Sequence, residues 1–181
     1  RNLDPLLMAL NRQGAWNGHV PVTAILSAIA VACAILEGFD TIALSNEHSA
    51  SEPNLTHNGA EVNHQYSKSL TFERDFAALV KGMISPDIAY FSFLRPLTEA
   101  AITRRFARLE AYHDLFRSCN TAFRLDEKQR NSHWCCACPK CRFVFLALAP
   151  FLPKARLEGV FGANLLADST QVEGYAELIG A

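Results

Sequence analysis

Two kinds of chemistry-bearing cluster stand out in this 181-residue sequence, and the first is sulfur. Cys135, Cys138 and Cys141 form a C-x2-C-x2-C array, and Cys119 precedes it with fifteen residues between. Four thiolates close a tetrahedral zinc site of the structural kind, which leaves no open position for catalysis. Cys136 is spare in that arrangement, and His133 is the substitute ligand if Cys119 lies too far away. A redox C-x2-C pair and an iron–sulfur cluster use the same residue types and compete with zinc. Four cysteines crowded into residues 135–141 suit a metal better than a disulfide framework, which points to the cytoplasm.

The second kind is proton handling. "SNEHSASEPN" (residues 45–54) and "NHQYSKS" (residues 63–69) gather carboxylate, imidazole, amide, hydroxyl and ammonium groups in a chain that is 50% hydrophobic. Glu47, His48, His64 and Lys68 are the types that general acid–base chemistry and anion binding need. Each also has a plainer reading. Glu47 can cap the following turn or bind magnesium, and His64 can join loop to helix by a hydrogen bond. Ser67 and Ser69 stand where the N-cap of the next helix belongs. Arg104, Arg105 and Arg108 read as a solvated helix face, His57 and His113 as surface residues, and Cys33 as core.

The elements that must position these groups follow from apolar spacing. A short helical turn spans residues 2–11. Residues 21–37 form an apolar helix closed by Gly38, and residues 39–44 a buried strand. Residues 45–58 form a polar loop. The second polar patch leads into a helix that places Phe72, Phe76, Leu79, Val80 and Met83 on one face. Ser85-Pro86 ends that helix, and residues 88–94 read as another strand. Pro96 opens a long helix with Ile102, Phe106, Leu109 and Phe116 aligned. Further helices are expected over residues 142–149, 154–161 and 170–179. Alternating helices and strands predict an α/β domain with a mostly parallel sheet. In such sheets ligands gather beyond the carboxyl ends of the strands, where the first polar decapeptide falls. Residues 1–116 are assigned to the α/β domain and 117–181 to a cysteine-rich, helical segment.

Composition excludes some classes. Seventeen basic and eighteen acidic residues leave a formal net charge of −1, so no nucleic-acid backbone partner is expected. The apolar run of residues 20–36 is Ala-rich, carries Pro21, Thr23 and Ser27, and leads into a strand, so it is read as buried helix and not as a membrane span. The chain opens on Arg1 and closes on "YAELIGA", which reads as an internal piece of a longer protein.

Taken together, Gly18-His19 before the apolar helix, Asn46-Glu47 after the strand, Pro96-Leu97 and the four cysteines resemble the PP-loop ATP pyrophosphatases, notably the 7-cyano-7-deazaguanine synthases. More specifically, "SNEHSASEPNL", "VNHQYSKSLTFE", "YFSFLRPLTE", "FRSCN" and "HWCCACPKCRFVFLALAPF" resemble the UDP-N-acetylmuramoyl-L-alanyl-L-glutamate epimerases, the MurL family. That resemblance covers residues 17–175. It implies a PP-loop (adenine nucleotide hydrolase-like) α/β fold with a zinc-stapled, helical C-terminal part. It also implies ATP- and magnesium-dependent inversion of the terminal L-glutamate of a UDP-muramoyl dipeptide for peptidoglycan, by way of a carboxylate adenylate. Glu47, His64 and Lys68 are then expected as catalytic residues, and Gly18, His19 and Asn46 at the nucleotide. Ser49, Asn63, Gln65, Tyr66 and Arg95 are expected at the substrate, with zinc on Cys119, Cys135, Cys138 and Cys141. The Ser-Gly-Gly-x-Asp-Ser pyrophosphate loop of PP-loop proteins has no counterpart, since the sequence holds no Gly-Gly pair. The expected partner is therefore the N-terminal half of the same protein, without which this piece is expected to be inactive. A PP-loop enzyme that modifies a nucleobase or tRNA is the alternative.

Overall fold

A computed structural model describes residues 5–15, 21–124 and 127–180. The chain forms two compact units, Arg1–Leu97 and Thr98–Ala181. The division falls before the helix that follows Pro96, whereas sequence reading set the boundary after residue 116.

In the first unit, helix α1 (Pro5–Arg12) precedes α2 (Val22–Glu37). Gly38 ends α2 in the left-handed conformation, φ 74°, with its N–H donating to the Ala34 carbonyl. Residues with a β-carbon adopt that conformation only at a cost. Only one stripe of α2 is buried, namely Ser27, Val31 and Ala34 at helical spacing. Ile25, Leu26, Ile29 and Leu36 on its other faces are exposed. Cys33, expected in the core, is exposed too, because it falls outside the buried stripe.

Strand β1 (Thr41–Leu44) follows, and it pairs in parallel with β4 (Ala89–Ser92), from Thr41 opposite Ala89 to Leu44 opposite Ser92. Between them lies a hairpin absent from the sequence reading: β2 (Leu55–His57) runs antiparallel to β3 (Ala60–Val62). Its turn is Asn58-Gly59, both with positive φ (51° and 79°). This dipeptide is the strongest short-range hairpin signal a sequence carries, and the flanking residues obscured it because all six strand positions are exposed. Helix α3 (Leu70–Leu79) then continues into a wider π-type turn, Val80–Ile84. Val31, Ala34, Val80 and Ile88 form the buried core, with Ile42 and Phe76 against it. Ser27 donates to the Thr23 carbonyl (2.7 Å), so the Tyr90 hydroxyl at 2.7 Å must donate to Ser27, which ties α2 to β4.

The second unit opens with α4 (Glu99–Phe106), capped by the Thr98 hydroxyl. This helix is shorter than expected. The N–H groups of Arg108 and Leu109 bond three residues back, and a 3-10 turn (Glu110–Tyr112) follows. That change of direction buries His113, which is 1% exposed and not the surface residue expected. Its Nε2 lies 3.2 Å from the Phe106 carbonyl, which can only accept, so Nδ1 is left to accept from Arg156 Nε at 3.4 Å. Arg104, Arg105 and Arg108 are exposed, as read from sequence. Helices α5 (Pro139–Leu148), α6 (Lys154–Phe161) and α7 (Val172–Ile179) complete the unit. Its core joins Phe145, Leu148, Leu157, Phe161 and Leu165 to Cys119, Trp134 and Cys141. No helix among the described residues is long and apolar enough to cross a membrane.

Candidate functional site

The parallel strands end side by side at Leu44 and Ser92, and the polar groups gather beyond those ends. Asn46 leaves β1 and donates from Nδ2 to the Ser92 hydroxyl (3.1 Å), which bridges the two strand ends. The chain then makes a 3-10 turn, His48–Ser51, which carries Ser49. The His48 N–H donates to the Leu97 carbonyl (3.1 Å), so this turn is anchored by the segment that follows β4.

The second polar patch folds onto the first. Asn63 Nδ2 donates to the Ala50 carbonyl (2.9 Å), while Asn63 Oδ1 accepts from the Gln65 N–H (2.7 Å). The Ser51 hydroxyl accepts from the Leu70 N–H (2.9 Å). Asn54 Oδ1 accepts from the His64 N–H (3.1 Å) and contacts His64 Nδ1. Because an amide oxygen can only accept, Nδ1 carries the ring proton, and Nε2 accepts from Gln65 Nε2 (3.2 Å). Ser69 is the N-cap of α3, accepting from the Phe72 N–H (3.1 Å), as its position foretold.

His64, Gln65, Tyr66, Ser67 and Lys68 line a cleft of about 620 Å³, opposite Pro21–Ala24 at the start of α2 and beside Phe72. The first-turn N–H groups of a helix have no partner within it, so this end of α2 favours negative charge. Lys68 adds an ammonium to the same cleft. Glu47 does not line it but sits on the adjoining turn, and the carboxylate of Glu47 and the ammonium of Lys68 make no side-chain hydrogen bond among the described residues. Gly18 and His19 lie outside the described residues.

Arg95 joins the pieces. One terminal nitrogen donates to the Glu47 carbonyl (2.8 Å) and to the Ser51 hydroxyl (3.4 Å). The other donates to the Lys68 carbonyl (2.8 Å) and to Glu73 Oε2 (2.8 Å). Glu73, to which the sequence reading gives no role, is the buried acid of this site at 8% exposure. Burial pushes its carboxyl up, but hydrogen bonds from Ser92 and Arg95 outweigh that and hold its pKa below the ordinary value. No pattern in the sequence marks it, because its partners lie nineteen and twenty-two residues away.

In the second unit, the Sγ atoms of Cys119, Cys135, Cys138 and Cys141 all lie within 4.8 Å of one another, a set that could hold a metal ion. The Cys135–Cys141 and Cys138–Cys141 separations are 3.7 and 3.5 Å. A tetrahedral zinc with sulfur at about 2.3 Å separates its sulfurs by about 3.8 Å, so the donor set fits one such ion. Local structure explains the fit. Cys138 is the N-cap of α5 with Pro139 at its first position, so the C-x2-C turn wraps the positive end of that helix. Burial pushes the Cys119 thiol up, but hydrogen bonds from Thr121 and the Cys135 N–H pull it down to about 6. Cys138 is lowered against burial by the Asn120 and Cys141 N–H groups, whereas burial and the neighbouring sulfurs raise Cys141. Four adjacent thiolates repel one another, and a cation is what lets all four ionise. Cys136 stands apart: its left-handed backbone (φ 57°) turns the thiol to the Phe161 carbonyl at 3.3 Å. His133 is not needed as a ligand, since Cys119 reaches the cluster.

Comparison with known proteins places both ends of the chain in one family. Residues 1–93 match the MurL N-terminal domain, and residues 115–181 match the MurL C-terminal domain. A UDP-N-acetyl-alpha-D-muramoyl-L-alanyl-L-glutamate epimerase of Xanthomonas oryzae pv. oryzae is 51% identical over 179 residues, 99% of this chain and 40% of the relative. The enzyme of the same name from a Micromonospora species is 51% identical over 183 residues, with the same two shares. The one from Salinispora tropica is 50% identical over 184 residues, 99% of this chain and 39% of the relative. The chain thus spans about 40% of the length of the curated relatives it matches. No solved structure matches it. With both domain matches in chain order and half of all residues shared with these relatives, the chain belongs to the MurL family.

Proposed function

We propose that this chain is part of a cytoplasmic, ATP-dependent epimerase that converts the terminal L-glutamate of UDP-N-acetylmuramoyl-L-alanyl-L-glutamate to D-glutamate for peptidoglycan precursor synthesis. The observation that carries this reading is the 50–51% identity, over 99% of the chain, to relatives named for that reaction. The joined polar loops at the strand ends supply the residue types it needs.

The α-proton of a glutamate is hard to remove while the adjacent carboxylate is ionised, because the resulting dianion is poorly stabilised. In the proposed scheme a carboxylate oxygen attacks the α-phosphorus of ATP with magnesium, and pyrophosphate leaves. The mixed anhydride removes the negative charge from the carboxylate oxygens and so acidifies the neighbouring C–H. A base removes that proton from one face and an acid returns one to the other. Water then cleaves the anhydride, releasing the D-epimer and AMP. Glu47 and His64 are the proposed proton handlers, and Lys68 pairs with an anionic group in the cleft. Asn46 with Gly18-His19 serves the nucleotide, while Ser49, Asn63, Gln65 and Tyr66 serve the dipeptide. The first unit then completes a PP-loop-like α/β domain together with the rest of the longer protein. Residues 117–181 form a segment stapled by zinc on Cys119, Cys135, Cys138 and Cys141, which has no open coordination position and supplies stability, not chemistry.

The test uses the full-length protein with the UDP-muramoyl dipeptide, ATP and magnesium in deuterated water. Deuterium at the glutamate α-carbon, D-epimer and AMP are all expected, and Glu47→Gln and His64→Asn should each remove the exchange. AMP without deuterium would reject the epimerase and bring forward the nucleobase-modifying alternative.

A further inference from the structure

Sequence reading gave Arg95 to an anionic substrate, but its geometry assigns it other work. A guanidinium has four hydrogens on its two terminal nitrogens, and here four acceptors take them: the Glu47 and Lys68 carbonyls, the Ser51 hydroxyl and Glu73 Oε2. Its remaining donor, Nε, is buried with no partner. The Arg95 side chain is only 12% exposed and that of Glu73 10%. Among the described residues every terminal donor of Arg95 is taken and the one left over is buried, so no exposed donor remains for a ligand. What it does instead is hold the main chain at Glu47 and Lys68, one residue from each polar stretch, on a single rigid fork. Glu73 balances the buried charge, and Ser92, which also receives Asn46, donates to Glu73.

We propose that Arg95 and Glu73 are a positioning clamp that sets the backbone of the two polar loops relative to each other without touching substrate. This rests on the reading of those loops as the epimerase cleft, where Glu47, His64 and Lys68 must act on one glutamate. A displacement of about 1 Å at such groups can cost about 100-fold in rate, so a residue that fixes two loops at once controls turnover more than affinity.

Two measurements decide it. The first is amide hydrogen exchange on the full-length protein, wild type against Arg95→Lys and Glu73→Gln. Lysine keeps the charge but cannot span two carbonyls, and glutamine keeps the shape of Glu73 without its charge. Residues 46–52 and 63–70 are both expected to exchange at least about tenfold faster, with residues 31–34 of α2 unchanged. Loosening of only one loop, or of neither, would overturn the clamp, as would equal loosening of α2, which would mean general destabilisation. The second is kinetics of the full-length protein with the same variants. A fall in kcat of about 100-fold with KM within about threefold is expected, and the double variant should be no worse than the poorer single one. A raised KM with kcat retained would make Arg95 a substrate ligand and sink the proposal. If the wild-type protein does not epimerise, the functional reading fails, and the exchange result still judges the clamp by itself.

Discussion

The two units of this chain are held together in different ways, one mainly by apolar burial and one by directional hydrogen bonds between its loops. The second unit buries aromatic mass. Ring contacts run from Phe106 to Phe116 (4.6 Å), on to Trp134 (5.3 Å) and Phe161 (4.6 Å), and end at Phe145 (5.0 Å). Two of its four clustered cysteines are fully buried within that core. Among the described residues the first unit has the smaller buried cluster, Val31, Ala34, Val80 and Ile88, and a shorter ring series, Phe72 to Phe76 (5.6 Å) to Tyr90 (4.8 Å), while hydrogen bonds around Asn63 and Arg95 join its polar loops. Polar loops held by directional bonds can be aimed at a ligand, whereas an apolar core cannot present proton donors. Sulfur and aromatics fill the core of one unit, and in the other the side chains of Glu47 and Lys68 make no hydrogen bond among the described residues.

The sharpest way to break the contrast is through the sulfur cluster. Replacing Cys119 or Cys141 by Ser should abolish binding of one zinc per chain and unfold the second unit, a loss of several kcal/mol since metal binding is coupled to folding. Zinc content by mass spectrometry and near-ultraviolet dichroism of Trp134 would report it. Cys136→Ser should leave zinc content unchanged, and loss of metal in that variant would reassign the ligands.

Phe145→Ala should cost about 3–5 kcal/mol in denaturant unfolding, the usual penalty for emptying a fully buried aromatic site. A cost below about 1 kcal/mol would mean the aromatic core is not what supports the cluster. In the first unit, Ser27→Ala leaves the buried Tyr90 hydroxyl without its acceptor and should cost about 1–3 kcal/mol.

Acid should act on the first unit through Glu73. Its carboxyl titrates lower folded than unfolded, so its contribution is complete above the ordinary value of 4.5 and is lost as pH falls through the lower folded value. Stability of the wild type should therefore decline more steeply below that pH than stability of Glu73→Gln, and coincident pH profiles would show that the pair carries no linkage. The smallest effect concerns α5 and α7. A β-carbon at Gly174 would overlap the Arg142 guanidinium, whose Nε donates to Gln171 (2.9 Å). Gly174→Ala should cost about 1 kcal/mol by displacing that flexible side chain and its hydrogen bond. Arg142→Ala should make the same substitution nearly neutral.

Much was determined by the sequence alone. The Gly38 stop, the Ser69 cap and the four-sulfur set are local or composed of one residue type, so spacing and propensity reveal them, and the parallel pairing of two strands follows from the alternation of helix and strand. The short α4, the burial of His113 and the exposure of Cys33 were decided by tertiary structure, because each depends on which face a neighbour covers. The same holds for the site. The sequence supplied the reactive residue types in two loops, but only the fold brings Asn63 to Ala50 and spends every terminal donor of Arg95 on its own chain. A guanidinium that binds substrate and one that clamps loops are the same letter in sequence, and what separates them is where their acceptors lie in space.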